Sequence, residues 1–149
     1  MIPEDFYTKP ACNTPQRLPL FTPDGKDSGE WIEVYGIDSD AYDAVRAETQ
    51  RQLMSVDMSM SLAKEKALSA DNSPEAFDRS IAELSRVSED RRQIISDREL
   101  ETKAALVAGW SFEKEFTQDN VKEFLRNAPT IALELDRFVS NRMNFIKKK

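Results

Sequence analysis

The sequence predicts a mainly α fold: an N-terminal β-hairpin, then a long helical hairpin, then two shorter C-terminal helices. Three observations carry this. β-type apolar runs around a Pro-Asp-Gly turn occur only before residue 38, and five of the seven prolines fall before residue 24. From Ser39 onward, capping residues repeatedly precede apolar residues at helical spacing. A chain of 149 residues fits one domain, so the expected layout is an extended arm over 1–16 and a single mostly helical domain over 17–149.

Taken in order, Pro3, Pro10 and Pro15 fix φ and remove amide donors, which predicts an extended arm. Leu18–Phe21 and Trp31–Ile37 read as strands around Pro23-Asp24-Gly25, with a second glycine at Gly29, giving a hairpin over 18–37. A lone hairpin is marginal in water, so it must pack on the helices or on another chain.

The first long helix is expected over about 40–70. Asp38 or Ser39 would cap it, and Tyr42, Val45 and Thr49 follow at helical spacing. Within it "MSVDMSMSL" alternates apolar and small polar residues, a strand-like period, but good helix formers surround it and no turn residue breaks it. Ser73 as N-cap and Pro74 at the first helical position start the next segment, over 74–108. Phe77, Ile81, Leu84 and Val87 form one stripe, continued less cleanly by Ile94, Ile95, Ala105 and Leu106. Ser88-Glu89-Asp90 offers a fresh cap, so this segment reads as one helix or as two in succession. Long helices joined by a short link predict an antiparallel pair.

Gly109 is expected to close the second helix in the left-handed region, with Trp110 folding back on it as a clamp. Thr117 would cap a helix over 118–127 with Asp119 in its first turn. Asn127-Ala128-Pro129 interrupts it. A last helix is expected over 130–146, with Ile131, Leu135, Phe138, Val139 and Ile146 near one face.

Composition removes most chemistry. The chain has no histidine and one cysteine, Cys12, so zinc and haem ligation have almost no candidates and a Cys-His or Ser-His-Asp nucleophile cannot form. No cofactor and no metal are expected. Asp24, Asp27 and Glu30 fail the calcium-loop pattern because Lys26 stands where an oxygen ligand is needed. No glycine-rich phosphate loop is present. Net charge is −6, and Arg79, Arg86, Arg91, Arg92 and Arg98 are interleaved with Glu83, Glu89, Asp90 and Asp97, so no nucleic-acid surface is expected. A single cysteine precludes an intramolecular disulfide and suits a reducing compartment. "MIPEDFYTKP" lacks the basic start and apolar run of a secretory signal, and no apolar stretch approaches the roughly 20 residues that span a bilayer. The expectation is a soluble, non-enzymatic protein without a membrane partner.

"ALVAGWSFEKEFTQDNVKEFLRNAPTIALELDRFVSNRMNF" resembles the tail assembly chaperones of long-tailed bacteriophages. The corresponding features are the corner Leu106–Trp110, the segment Phe116–Val121, Pro129, and Asn144-Phe145. The upstream "LPLFTPDGKDSGEWIEVYGIDSDAY" is similar to the opening hairpin of that family, and the resemblance covers 18–146 loosely and 104–145 well. It implies a host-cytoplasmic helper that coats the helical, aggregation-prone tape measure protein, keeps it soluble during tail assembly, and is absent from the finished virion. It also implies a longer product, made when the ribosome slips backwards near the end of the short one, which recruits tail tube protein. Lys147–Lys149 require an A-rich codon run suited to such slippage, although cations at a helix C-terminus are favourable in themselves.

Met54, Met58, Trp110, Phe112, Phe116, Phe124 and Phe138 are the candidate partner-binding residues, because methionine and aromatic surfaces adapt to apolar helices. Each also has a core reading: Trp110 and Phe112 as a packing corner, Phe116 and Phe124 as the inner face of a short amphipathic helix. Self-association stays open. Two rival functions are a structural minor tail or connector protein of the virion, and a small acidic regulator of a host protein.

Overall fold

The computed structural model describes residues 1–69 and 73–146. It contains a β-hairpin, two long helices, a third strand and two shorter helices, and its contacts group into two compact units. Met1–Arg46 with Leu100–Lys149 form one, and Ala47–Glu99 form the other.

In the first unit, β1 (Gln16–Phe21) and β2 (Asp27–Val34) form the expected hairpin. Leu18 and Leu20 of β1 and Ile32 and Val34 of β2 point into the core, while Arg17, Pro19 and Phe21 alternate outward. Gly25 takes the left-handed conformation the tight turn requires, at φ 86°. Trp31 was expected to open the second strand, but pairing begins four residues earlier, at Asp27 opposite Phe21. Pro19 is tolerated because β1 is an edge strand.

Two local expectations give way to tertiary pairing here. Residues 107–110 are not a helix end: the helix stops at Leu106, and Val107–Trp110 form β3, antiparallel to β2. Gly109 does not have positive φ and pairs with Glu33 in the sheet, so Trp110 does not fold back as a clamp. The free edge of β2 supplies backbone partners that a helix end would leave to water. Residues 1–16 are not simply extended either. Pro3–Phe6 form a 3-10 turn and Lys9–Cys12 a short helix, α1, whose Cys12 is buried.

α1 is seated by Gly36. The Gly36 amide donates to the Cys12 carbonyl at 2.9 Å, and a Cβ on Gly36 would stand 2.5 Å from Cys12 Sγ. Only a glycine lets the two backbones approach this closely.

The helix α2 (Asp40–Ser69) starts at Ser39, whose buried Oγ accepts from the Tyr42 amide at 3.3 Å. Ser73 and Pro74 start α3 (Pro74–Leu106) as expected, with Ser73 Oγ accepting from Ala76 at 3.2 Å. α3 is one helix, unbroken at Ser88. Thr117 caps α4 (Gln118–Asn127), accepting from the Asn120 amide at 3.1 Å. Pro129 opens α5 (Pro129–Ser140). The last helix thus ends six residues before the expected Ile146: Asn141 stops it and caps a 3-10 turn, Arg142–Asn144. Val121 and Leu125 of α4, Leu135 and Val139 of α5, Phe145, and the inward faces of the sheet form the core.

The second unit is a pair of antiparallel helical segments. Arg91 donates to Asp57 at 2.9 Å and Arg98 to Thr49 at 3.1 Å, so residue numbers across the pair sum to nearly a constant. Ala63 and Val87 are the buried hydrophobics among its described residues. Phe77 and Ile81, expected on one stripe with Val87, are exposed instead, because half-buried Ala76 and Ser80 take the inward positions of the first turns of α3. Ala70, at the expected end of the first long helix, and Lys147–Lys149 lie outside the described residues.

Candidate functional site

Four of the seven candidate residues come together. β3 ends at Trp110, the bend after it carries Phe112, the approach to α4 carries Phe116, and α4 itself carries Phe124. Trp110 contacts Phe112, Phe116 and Phe124 edge-to-face, with centroids at 5.3, 5.5 and 6.2 Å, and Phe112 meets Phe124 at 5.2 Å. Edge-to-face geometry sets the positive ring edge against the negative face, the favoured arrangement for aromatic pairs. The indole N–H donates to the Lys114 carbonyl at 2.8 Å, which folds residues 111–114 over the ring.

Trp110, Phe112 and Phe124 remain half-buried, and Phe116 is 38% exposed. Trp110, Phe112 and Phe124 form the floor of an open groove along α4, and Phe116 packs against Trp110 beside it. Its rim is polar: Lys114 pairs with Glu123 at 3.1 Å, and Asn120 and Asn127 tie their side-chain amides to the carbonyls of Glu115 and Glu123, each at 2.8 Å. Asn120, Glu123, Phe124 and Asn127 share one helix face by their three- and four-residue spacing. An apolar floor inside a satisfied polar rim is suited to an apolar side chain presented by another protein.

The strand beside the groove is fixed by Ser111. Its Oγ accepts from the Trp31 amide at 2.8 Å and pairs with the Glu30 carboxylate. Neither this anchor nor the polar rim was marked by sequence reasoning. The rim could have been found from α4 periodicity, whereas Ser111 acts on residues 80 positions away and leaves no local signal.

The remaining candidates lie elsewhere. Phe138 of α5 packs edge-to-face on Phe145 at 5.6 Å and borders a separate shallow groove with Leu18, Pro19 and Phe21. Met54 and Met58 belong to the helical pair, where both project outward from α2, 66% and 64% exposed. The same exposed row includes Leu62, which the sequence reading left out.

Among the described residues, no three His, Cys, Asp or Glu side chains are grouped to hold a metal ion, and no helix is long and apolar enough to cross a membrane. The described pKa perturbations come from surface pairs rather than from a reactive cleft. Asp38, for example, is held below the usual carboxylate range by Arg142 and then by the Thr8 hydroxyl.

No curated protein and no solved structure matches the chain. A family model described as phage tail assembly chaperone matches residues 26–140, from the hairpin turn to the end of α5, and so spans the aromatic groove and the helical pair. A match over that much of the sequence settles the family: the chain belongs to the phage tail assembly chaperones.

Proposed function

We propose that this chain binds the tape measure protein of its phage and keeps it soluble while the tail is assembled. The family match over residues 26–140 carries this reading, and it favours a non-enzymatic role with tail proteins as partners over a virion component or a host regulator. The groove of Trp110, Phe112 and Phe124, with exposed Phe116 packed on Trp110 beside it, is the proposed client surface, because its floor is apolar and accessible while its rim is already hydrogen-bonded. Phe138, Met54 and Met58 stand outside that surface.

The chaperone acts in the host cytoplasm and leaves before the virion is complete, so mass spectrometry of purified virions finds little of it. The frameshifted product belongs to the same proposal: slippage on the codons of Lys147–Lys149 fuses this chain to a domain that recruits tail tube protein. A following frame that closes within a few codons excludes it.

Co-expression with the tape measure protein tests the function. The wild-type chain raises the soluble yield of the client, and Phe116→Asp, which charges an exposed ring position, abolishes the gain while leaving the chain folded. An equally insoluble client with and without the wild-type chain overturns the chaperone reading. Full rescue by Phe116→Asp removes the exposed edge of the aromatic cluster from it.

A further inference from the structure

The strand-like alternation of "MSVDMSMSL" has a different meaning on a helix. Steps of two residues turn a helix by about 200°, so alternate residues fall on opposite faces. Val56 and Met60 are half-buried on the side of buried Ala63, whereas Met54, Met58 and Leu62 are 66%, 64% and 57% exposed. α2 is therefore apolar on two sides, and α3 covers one of them. The uncovered stripe is also nearly free of charge. Its other exposed positions between Met54 and Leu62 are serines, apart from Asp57, which is engaged by Arg91 at 2.9 Å.

The stripe is symmetric about Met58. Three residues to either side stand Ser55 and Ser61, four to either side Met54 and Leu62, and seven to either side Arg51 and Glu65. All lie within about 60° of Met58 around the helix. We infer that this face is a homodimer interface: α2 packs antiparallel on α2 of a second copy about a two-fold axis at Met58. Met58 then meets its own counterpart, Met54 meets Leu62 of the other copy, and the serines let the two backbones approach. Arg51 faces Glu65 of the other copy at both ends. Charge fixes the direction, because a parallel pairing sets Arg51 against Arg51 and Glu65 against Glu65. A two-fold axis makes the contact closed and self-complementary.

The helical pair also needs the cover. Among its described residues only Ala63 and Val87 are buried hydrophobics, a thin seam for two long helices, and a second pair laid on α2 completes a four-helix arrangement. Arg51 already bonds Glu48 of its own helix at 2.6 Å. That contact is exposed and weak, and it does not prevent Arg51 from bridging to the second copy.

Sedimentation of the full chain across a concentration series tests this. The wild type dimerises reversibly, and Met58→Glu, which sets two like charges on the axis, raises the dissociation constant at least tenfold with unchanged helicity by circular dichroism. Arg51→Glu alone and Glu65→Arg alone each weaken the dimer. An equimolar mixture of the two, or the double variant, restores it. A wild-type monomer at every concentration overturns the inference, as does failure of the charge swap to restore pairing. If the chain is monomeric and Met58→Glu instead loses capture of the tape measure protein, the stripe takes a client helix and the homodimer is wrong. Phe116→Asp leaves the dimer intact, so this result and that of the groove are separable.

Discussion

Asp38 and Arg142, 104 residues apart, are joined by two hydrogen bonds: Nε to Oδ2 at 2.6 Å and Nη2 to Oδ1 at 2.9 Å. Thr8 donates to the same Oδ2 at 2.6 Å. One carboxylate thus ties the N-terminal segment, the approach to α2 and the turn after α5. Arg142 and then Thr8 hold the Asp38 carboxyl below its ordinary value of 3.8. A depressed folded-state pKa contributes stability above the unfolded value, and that contribution is lost as pH falls through the folded value. Asp38→Asn therefore lowers the melting temperature at pH 7, and the gap to wild type narrows on acidification below about pH 4. Equal melting at pH 7, or a gap that widens with acid, contradicts the clasp.

Gly36→Ala destabilises the fold by about 1–3 kcal/mol, the range for overpacking a close contact. The new Cβ would meet Cys12 Sγ at 2.5 Å, Cβ at 2.8 Å and Cα at 3.2 Å. Adding Cys12→Ala restores only part of the loss, since the Cβ and backbone clashes persist. Urea denaturation of the two variants measures both effects, and a wild-type midpoint for Gly36→Ala shows that α1 is not seated on this glycine.

Trp110→Ala costs ~3 kcal/mol, the low end for truncating a large aromatic, because the ring is half-buried rather than enclosed. The loss includes three edge-to-face partners and the indole bond to Lys114. Calorimetry measures the change. A variant that melts like the wild type yet loses its client makes the ring a contact residue alone.

Thr117→Ala removes the oxygen that accepts from the Asn120 amide at 3.1 Å and weakens the start of α4 by about 1 kcal/mol. Thr117→Ser keeps the cap and stays near wild type. Hydrogen exchange in the first turn of α4 distinguishes them, with faster exchange in the alanine variant alone.

Where the determining physics is local, the sequence settled the outcome. Ser39, Ser73 and Thr117 each offer a side-chain oxygen to an amide three residues ahead, and each starts a helix in the structure. Pro129 cannot donate an amide, so it separates α4 from α5, and Gly25 places the hairpin turn. These features need only a few neighbouring residues. Tertiary structure decided what depends on distant partners. Residues 107–110 became a strand because β2 offered an open edge, although Gly109 by itself reads as a helix stop. Cys12 is buried because Gly36, far along the chain, leaves room for it. The aromatic groove needed α4 to swing Phe124 onto the ring of Trp110, a juxtaposition that no spacing encodes. The alternation from Met54 to Leu62 was visible in sequence, but two faces of a helix and one face of a strand share that pattern. Only the packing of α3 against Val56 and Ala63's side decided which, because burial of one face is what leaves the other to a partner.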